Sequence, residues 1–518
     1  LRRRNPAAES DIAAKFKLEH CRVVDTPANS AVAGQRRLFL ASFITLIAAG
    51  IGFSIRSGIL DDWGRQFGFT QTELGAITGS GLWGFGLAVV FFSMLADRVG
   101  YGPLMGIAFA LHLAAGVLTL SASYVFAHFG KDSAYWLLYA GMTLFALANG
   151  TCEAVINPLA ATLYPKEKTH YLNILHAGWP AGLILGGVLS WLMVERNGQV
   201  VVRWEIQWLL FIAPVLVYGL LMFRRKFPVS EAEAAGVSFG AMLKEFSHPV
   251  LLALLVLHAM VGYVELGTDS WIANLMTNIA GMKGILLLVY TSSIMFVLRF
   301  FAGPIVHRIS PLGLLFSCAV LAMVGLFWLG NSTVGIAVFL AATIYGVGKT
   351  FFWPTMLGVV SERFPKGGAL TLGAVGAAGV FSAGLLGTPG IGYVQDYYAA
   401  SKLSQEAPPL YAQYAASEPK GFLFFPETTG LDGSRVVPLM EKPAPQLTEP
   451  EKTVREAVIY GGRMSLKWTA LVPLAMAVGY LLLILYFKAK GGYKQVHIEG
   501  SGKEAREVPG ADASGRPI

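Results

Sequence analysis

Apolar residues run along this chain in long blocks rather than at helix-face or strand spacing, and polar residues collect between the blocks. Segments near 38–60, 72–95, 103–127, 135–160, 171–194 and 205–223 are each long enough to cross about 30 Å of hydrocarbon as a helix. A polar stretch, Arg224–His248, interrupts the pattern. A second group follows near 249–276, 284–306, 312–330, 334–360, 369–393 and 466–487. The pattern predicts an all-α polytopic membrane protein with twelve spanning helices in two groups of six. Its expected parts are a tail over 1–35, a first bundle over 36–224, a linker over 225–248, a second bundle over 249–487 and a tail over 488–518.

Residues 396–465 break the regularity as an insertion between the last two spans. Thr448-Glu449-Pro450-Glu451 has the form of a capping box, which predicts a short helix near 449–460 ended by Gly461-Gly462. The insertion is expected to be a solvated surface excursion, with a lid over the outer mouth as the alternative.

Composition agrees with the pattern. The chain is 54% hydrophobic and 14% charged, against about 25% charged in soluble proteins. A net charge of +8 would suit nucleic acid, but the basic residues sit in tails and short loops, so no nucleic-acid partner is expected. Arg98, Lys166, Lys168, Arg224–Lys226, Arg308, Arg363 and Lys366 fall on one face; Arg65, Lys131, Arg196, Arg203 and Lys283 fall on the other. The positive-inside rule then puts both termini in the cytoplasm. The expected location is a bacterial cytoplasmic (inner) membrane. Arg2-Arg3-Arg4 lacks the adjoining apolar run of a signal peptide. Cys21, Cys152 and Cys318 form no paired spacing, so no metal site or cofactor is expected.

Candidate chemistry lies in the few charges inside the spans, each of which costs roughly 2.5–3.5 kcal/mol to insert. Gly150–Pro158 reads GTCEAVINP and Gly346–Pro354 reads GVGKTFFWP, so Glu153 and Lys349 occupy matching places in the two groups. Glu153 and Asn157 share a helix face, giving a titratable acceptor beside an amide. They would bind a proton or substrate, or Glu153 would form a static pair with a cation such as Lys349 or Arg299. Glu265 and Asp269 also share a face, with Trp271 and Asn274 just beyond. That grouping suits a sugar, whose apolar face stacks on an aromatic ring; the alternative is an interfacial anchor at Trp271. Trp353 is a weaker stacking candidate. Arg56, late in the first span, is either an anion clamp or a side chain snorkelling to the interface. His112, His176 and His258 stand as single histidines, read as hydrogen-bonded core residues.

Ser93-Met-Leu-Ala-Asp97-Arg98-Val-Gly100 resembles the signature of the major facilitator superfamily, with Ser93 in place of its first glycine. A weaker counterpart is Gly303-Pro-Ile-Val-His307-Arg308. The resemblance implies the major facilitator fold, with Asp97, Arg98 and Arg308 as conformational latch residues. Glu153 with Asn157-Pro158, Leu172-Asn173-Ile-Leu175-His176, and Gly262-Tyr-Val-Glu265 through Trp271 resemble the fucose:proton symporter family and related sugar permeases. Ser57 stands where that family's best-known transporter has an aspartate. By this resemblance spans 1, 4, 7 and 10, which hold Arg56, Glu153, Glu265 with Asp269, and Lys349, line the central cavity.

The implied function is not enzymatic: secondary active transport, with proton-coupled uptake of a sugar or related polyol by rocker-switch alternating access. The alternative is carriage of organic anions such as sugar acids, by symport or exchange, which Arg56, Lys349 and the missing aspartate favour. The expected partners are the small-molecule substrate, a coupling proton (sodium being the other candidate) and the lipid bilayer, with the chain acting as a monomer. Glycines in spans 5 and 11, among them Gly178, Gly182, Gly186, Gly373, Gly379 and Gly387, permit close helix approach and fit two rocking halves.

Overall fold

Helices carry almost all of the chain because a backbone in hydrocarbon must bond to itself. The computed structural model describes residues 27–67, 71–193, 202–280, 284–332, 335–416 and 419–498. Most of the two expected tails, 1–26 and 499–518, lies outside the described residues, as do Arg196 and Lys283. The twelve expected spans fall on helical stretches, several of them, such as 249–276, 284–306 and 334–360, divided between successive helices. Among the described residues nine helices are long and apolar enough to cross a membrane. The remaining three expected spans lie on Gln71–Val99, on Ala122–Leu163, and on Gly284–Arg299.

Helices before the linker pack with one another: Pro27–Gly58 on Gly178–Met193, and Gln71–Val99 and Tyr101–Leu120 on Ala122–Leu163. Those after it do the same, as with Ala302–Leu329 on Gly335–Lys349. The broadest crossings between the groups are Gly368–Ser382 on Gln71–Val99, Phe352–Arg363 on Lys168–His176, and Gly284–Arg299 on Gly178–Met193, with Gly368–Ser382 also meeting Ala122–Leu163 and Ala302–Leu329 meeting Lys168–His176. Glycines mostly serve contacts within a group. Gly178, Gly182 and Gly186 bring their helix against the backbone of the first helix at Phe43, Gly50 and Ile51. At the crossing itself Gly373 lies flush against Ser93, so the serine that replaces the signature glycine is accommodated by a glycine opposite.

Two helices contain π turns, Tyr263–Gly267 and Ala383–Gly387, which lie side by side, with Gly267 against Gly387. The linker is docked rather than free. Ser230 and Ser238 cap the short helices Glu231–Ala234 and Phe239–Lys244, and Ala232 and Met242 bury against Leu370.

The insertion differs from its expectation. Helices Thr388–Glu406 and Glu449–Thr469 pack together, and Leu403, Val436, Leu439, Val454 and Ala457 form a separate small core. The capping box is present, with the Thr448 N–H donating to Glu451 at 2.8 Å. The helix does not end at Gly461-Gly462. It runs to Thr469 because Gly461 lies against the Gln395 carbonyl and Ala399, and Gly462 against Leu275, so the missing side chains make room for neighbouring helices.

Candidate functional site

Proline chemistry creates the centre of the site. Pro354 has no N–H to offer the Thr350 carbonyl one turn earlier, and the helix breaks between Gly335–Lys349 and Phe352–Arg363. Arg299 takes the freed acceptor: its Nε donates to Thr350 O at 2.8 Å. The same buried guanidinium donates through Nη1 to His176 O at 2.5 Å and through Nη2 to Glu265 Oε1 at 3.3 Å. One side chain thus fixes the break, the π turn and the opposite group of helices. Among the described residues Glu265 Oε2 has no partner.

Lys349, the last residue of its half-helix, is fully buried where the helix dipole favours a cation. Its Nζ lies 2.5 Å from Asp269 Oδ1 and 5.3 Å from the Tyr345 ring centroid. The static pair, the alternative for Glu153, is therefore not formed with Lys349 or with Arg299, since each cation meets a carboxylate of its own group of helices.

Glu153 sits in a directed chain of hydrogen bonds. Asn157 Nδ2 donates to Glu153 Oε1 at 3.0 Å, and His176 Nε2 meets Asn157 Oδ1 at 2.9 Å. Because the amide nitrogen faces the carboxylate, the amide oxygen must accept, which puts the histidine hydrogen on Nε2. His176 Nε2 is also 3.8 Å from Glu153 Oε1. The Trp353 side chain, from the other group of helices, lies beside the Glu153 carboxylate. His176, read from sequence as a core residue, belongs to this network; its place in the Leu172–His176 motif was the available signal.

The remaining candidates divide. Arg56 is buried rather than snorkelling; its guanidinium lies 4.5 Å from the Phe53 ring centroid, and among the described residues no carboxylate reaches it. The Trp271 indole donates to Thr388 O at 2.9 Å, and its ring covers Gly392, so this residue ties two helices together. Trp353 stands 4.5 Å from the His258 ring, where both His258 nitrogens lack partners among the described residues. Asn274 lies on the helix Thr268–Ala280; its side chain falls outside the described residues.

At one face the two groups of helices are latched. Asp97 Oδ2 accepts the Ala369 N–H at 3.1 Å, an anion at a helix start. Arg98 instead covers the Phe239 ring of the linker, and Arg308 is exposed with no ion pair among the described residues. The expected gate at Arg308 is replaced by its neighbours: His307 approaches Glu167 at 3.9 Å, and the Gly303 N–H donates to His170 Nδ1 at 2.9 Å. Two carboxylates missed in the sequence carry more. Glu362 Oε1 accepts from Thr169 Oγ1 at 2.6 Å, while its Oε2 accepts from Tyr493 Oη at 2.7 Å. Glu231 of the linker pairs with the buried Lys168 at 2.7 Å. Asn173 Nδ2 adds a bond to Thr355 Oγ1 at 3.1 Å.

Comparison with known proteins agrees with this architecture. The sequence profile of the Major Facilitator Superfamily matches residues 39–388. The cis,cis-muconate transport protein of Acinetobacter baylyi is 24% identical over 398 residues, covering 69% of this chain and 89% of the relative. A probable anion transporter 4, chloroplastic, of Arabidopsis thaliana is 27% identical over 132 residues, 25% of this chain and 23% of that protein. Among solved structures, the transporter FucP in its outward conformation superposes with a TM-score of 0.58 at 18% identity, covering 69% of this chain and 92% of that one, a likeness of fold.

Proposed function

Since the chain belongs to the Major Facilitator Superfamily, and so to a family of multi-pass membrane transporters rather than enzymes, we propose that it is a secondary active transporter of a small carboxylate-bearing organic anion, coupled to protons through Glu153. The observation that carries this reading is Arg56. Lys168, Arg299 and Lys349 are buried against Glu231, Glu265 and Asp269, whereas Arg56 is buried with no carboxylate among the described residues. Leaving a buried charge uncompensated is costly, and a guanidinium is shaped to take a carboxylate through two parallel hydrogen bonds. The relative whose name is that of a muconate transporter supports the same class of cargo.

The Glu153 network supplies the coupling. A proton on Glu153 offsets the charge of the anion carried with it, so the loaded carrier crosses its transition without adding net charge to the low-dielectric centre. Trp353, which stands beside Glu153 on the opposite group of helices, is placed to respond to its protonation. On this reading the latch face, with its basic loops, faces the cytoplasm, the orientation that the positive-inside rule favours, and the membrane is a bacterial inner membrane.

A neutral sugar is the second reading. Its aromatic support is weakened because Trp271 is engaged with Thr388 and Gly392, and Trp353 with Glu153 and His258. Thermal unfolding of the purified protein against neutral sugars, polyols, sugar acids and dicarboxylic acids separates the two. Saturating ligand at a hundred times its Kd stabilises by about 2.7 kcal/mol. Stabilisation by acids alone, lost in Arg56→Gln, is expected. Stabilisation by neutral sugars that survives Arg56→Gln would overturn the anion reading.

A further inference from the structure

The insertion carries a short antiparallel hairpin, Lys420–Phe422 with Phe425–Thr428, whose turn is apolar. Leu423, Phe424 and Phe425 are 65%, 86% and 47% exposed. A polar turn would suit water better, and glycine would suit the backbone better: Leu423 has φ +52°, a left-handed conformation that is rare for a residue with a bulky side chain. The chain thus holds three large apolar side chains outward at a place where local preference favours small or polar ones.

The position of the hairpin identifies what covers them. Its two strands rest on Tyr393, with ring centroids 6.0 Å away at Phe422 and 5.8 Å away at Phe425, and Tyr393 Oη donates to Pro426 O at 2.7 Å. Tyr393 lies where the helix from Thr388 leaves its apolar stretch, in a cluster with Tyr397, Tyr398 and the half-exposed Trp468, whose indole donates to Tyr398 Oη at 2.6 Å. Tyrosine and tryptophan gather at headgroup depth because one end of each ring system is apolar and the other hydrogen-bonds. The hairpin is therefore strapped to the protein beside an aromatic cluster of the kind that gathers at a membrane boundary, at the end of its helix opposite the latch.

We propose that the Leu423–Phe425 turn inserts into the boundary between headgroups and acyl chains of the outer leaflet and anchors the insertion there. Its occupant is the lipid surface. The aromatic cluster beneath it continues the membrane belt of the spanning helices, and the turn presents no charged side chain of its own.

Site-directed spin labelling in lipid nanodiscs tests this with the full chain. In a Cys21→Ser background, where Cys152 and Cys318 are buried, Phe424→Cys and Leu423→Cys are labelled in separate proteins. Leu220→Cys, on a spanning helix, gives the lipid reference, and Gln413→Cys, exposed on the insertion, gives the aqueous one. The expected result is a several-fold preference for collision with oxygen over a water-soluble nickel chelate at both turn positions, close to the Leu220 value. A nickel-accessible label matching Gln413 would overturn the proposal in favour of a solvated loop. A label shielded from both reagents would overturn it in favour of a turn closed over the protein's own mouth.

Discussion

Lys349 Nζ and Asp269 Oδ1 lie 2.5 Å apart, so the lysine that mirrors Glu153 in the sequence is neutralised within its own group of helices. The lysine is fully buried, and the aspartate side chain keeps 18% of its exposure. Removing one member of a buried pair leaves an uncompensated charge, while replacing both removes the need for compensation. Lys349→Met is expected to destabilise the protein by about 3 kcal/mol, and Lys349→Met with Asp269→Asn to recover most of that loss. Thermal unfolding in detergent measures both. A double variant no more stable than the single one would show that the pair is not what holds Lys349.

Glu153 makes a different prediction because the group that donates to its carboxylate, the Asn157 amide, is neutral. Glutamine keeps the size of the side chain and one acceptor, but it cannot release a proton. In Glu153→Gln, proton-driven accumulation should fall to background while exchange of labelled for unlabelled substrate persists. His176→Phe should weaken coupling by a smaller factor, since Asn157 would lose the partner that orients its amide towards Glu153. Reconstituted vesicles with and without an imposed pH gradient distinguish these outcomes. Intact gradient-driven uptake in Glu153→Gln would remove it from the coupling role.

The spans were legible because insertion into hydrocarbon requires long apolar runs whatever the details of packing. The motif at Ser93–Gly100 also singled out Asp97, and the structure adds its partner, the Ala369 N–H at a helix start of the other group. Pairing among buried charges was not legible. Glu153 and Lys349 occupy matching positions along the chain, but which carboxylate meets Lys349 depends on the facing of three separate helices. Arg299 was readable only as a structural arginine; its three acceptors come from Thr350, His176 and Glu265, and the first becomes available through the missing N–H of Pro354. Gly461-Gly462 misled for the opposite reason. Local preference reads a glycine pair as a helix end, whereas tertiary contact with Gln395 and Leu275 selects glycine inside a continuous helix.

Glu362 should control the latch. Its two oxygens join Thr169 to Tyr493, and the Val496 N–H donates to its backbone carbonyl at 2.8 Å, so one residue ties both groups of helices to the C-terminal segment. Glu362→Ala would remove three hydrogen bonds to a charged group, from the Thr169 N–H and hydroxyl and from Tyr493, each worth about 1.5–3 kcal/mol, and bias the carrier towards opening at this face. Cysteine accessibility at Ser361→Cys, a buried position at this face whose side chain is not one of the Glu362 contacts, measured with a membrane-impermeant reagent from the latch side, should rise at least severalfold in Glu362→Ala. Unchanged labelling would assign the closed face to Asp97 and Lys168 instead.

Gly461 offers the sharpest test of the insertion's architecture. A side chain there would drive into the Gln395 carbonyl and the Ala399 methyl, backbone and side chain of the neighbouring helix that cannot rotate away. Gly461→Leu should part the helices Thr388–Glu406 and Glu449–Thr469 and expose the small core around Leu403 and Val454. Overpacking of this kind costs about 1–3 kcal/mol, enough to open a core this small without unfolding the spans. Limited proteolysis should then cut the insertion at least tenfold faster, an estimate from about 1.4 kcal/mol per decade, while thermal unfolding of the spanning helices stays within a few degrees of the parent. Gly461→Ala, with a single carbon to place, should show the same effect at a smaller amplitude. If both variants resist cleavage as the parent does, the two helices are not held by this contact, and the helix beyond Gly462 must owe its continuity to the Leu275 side alone.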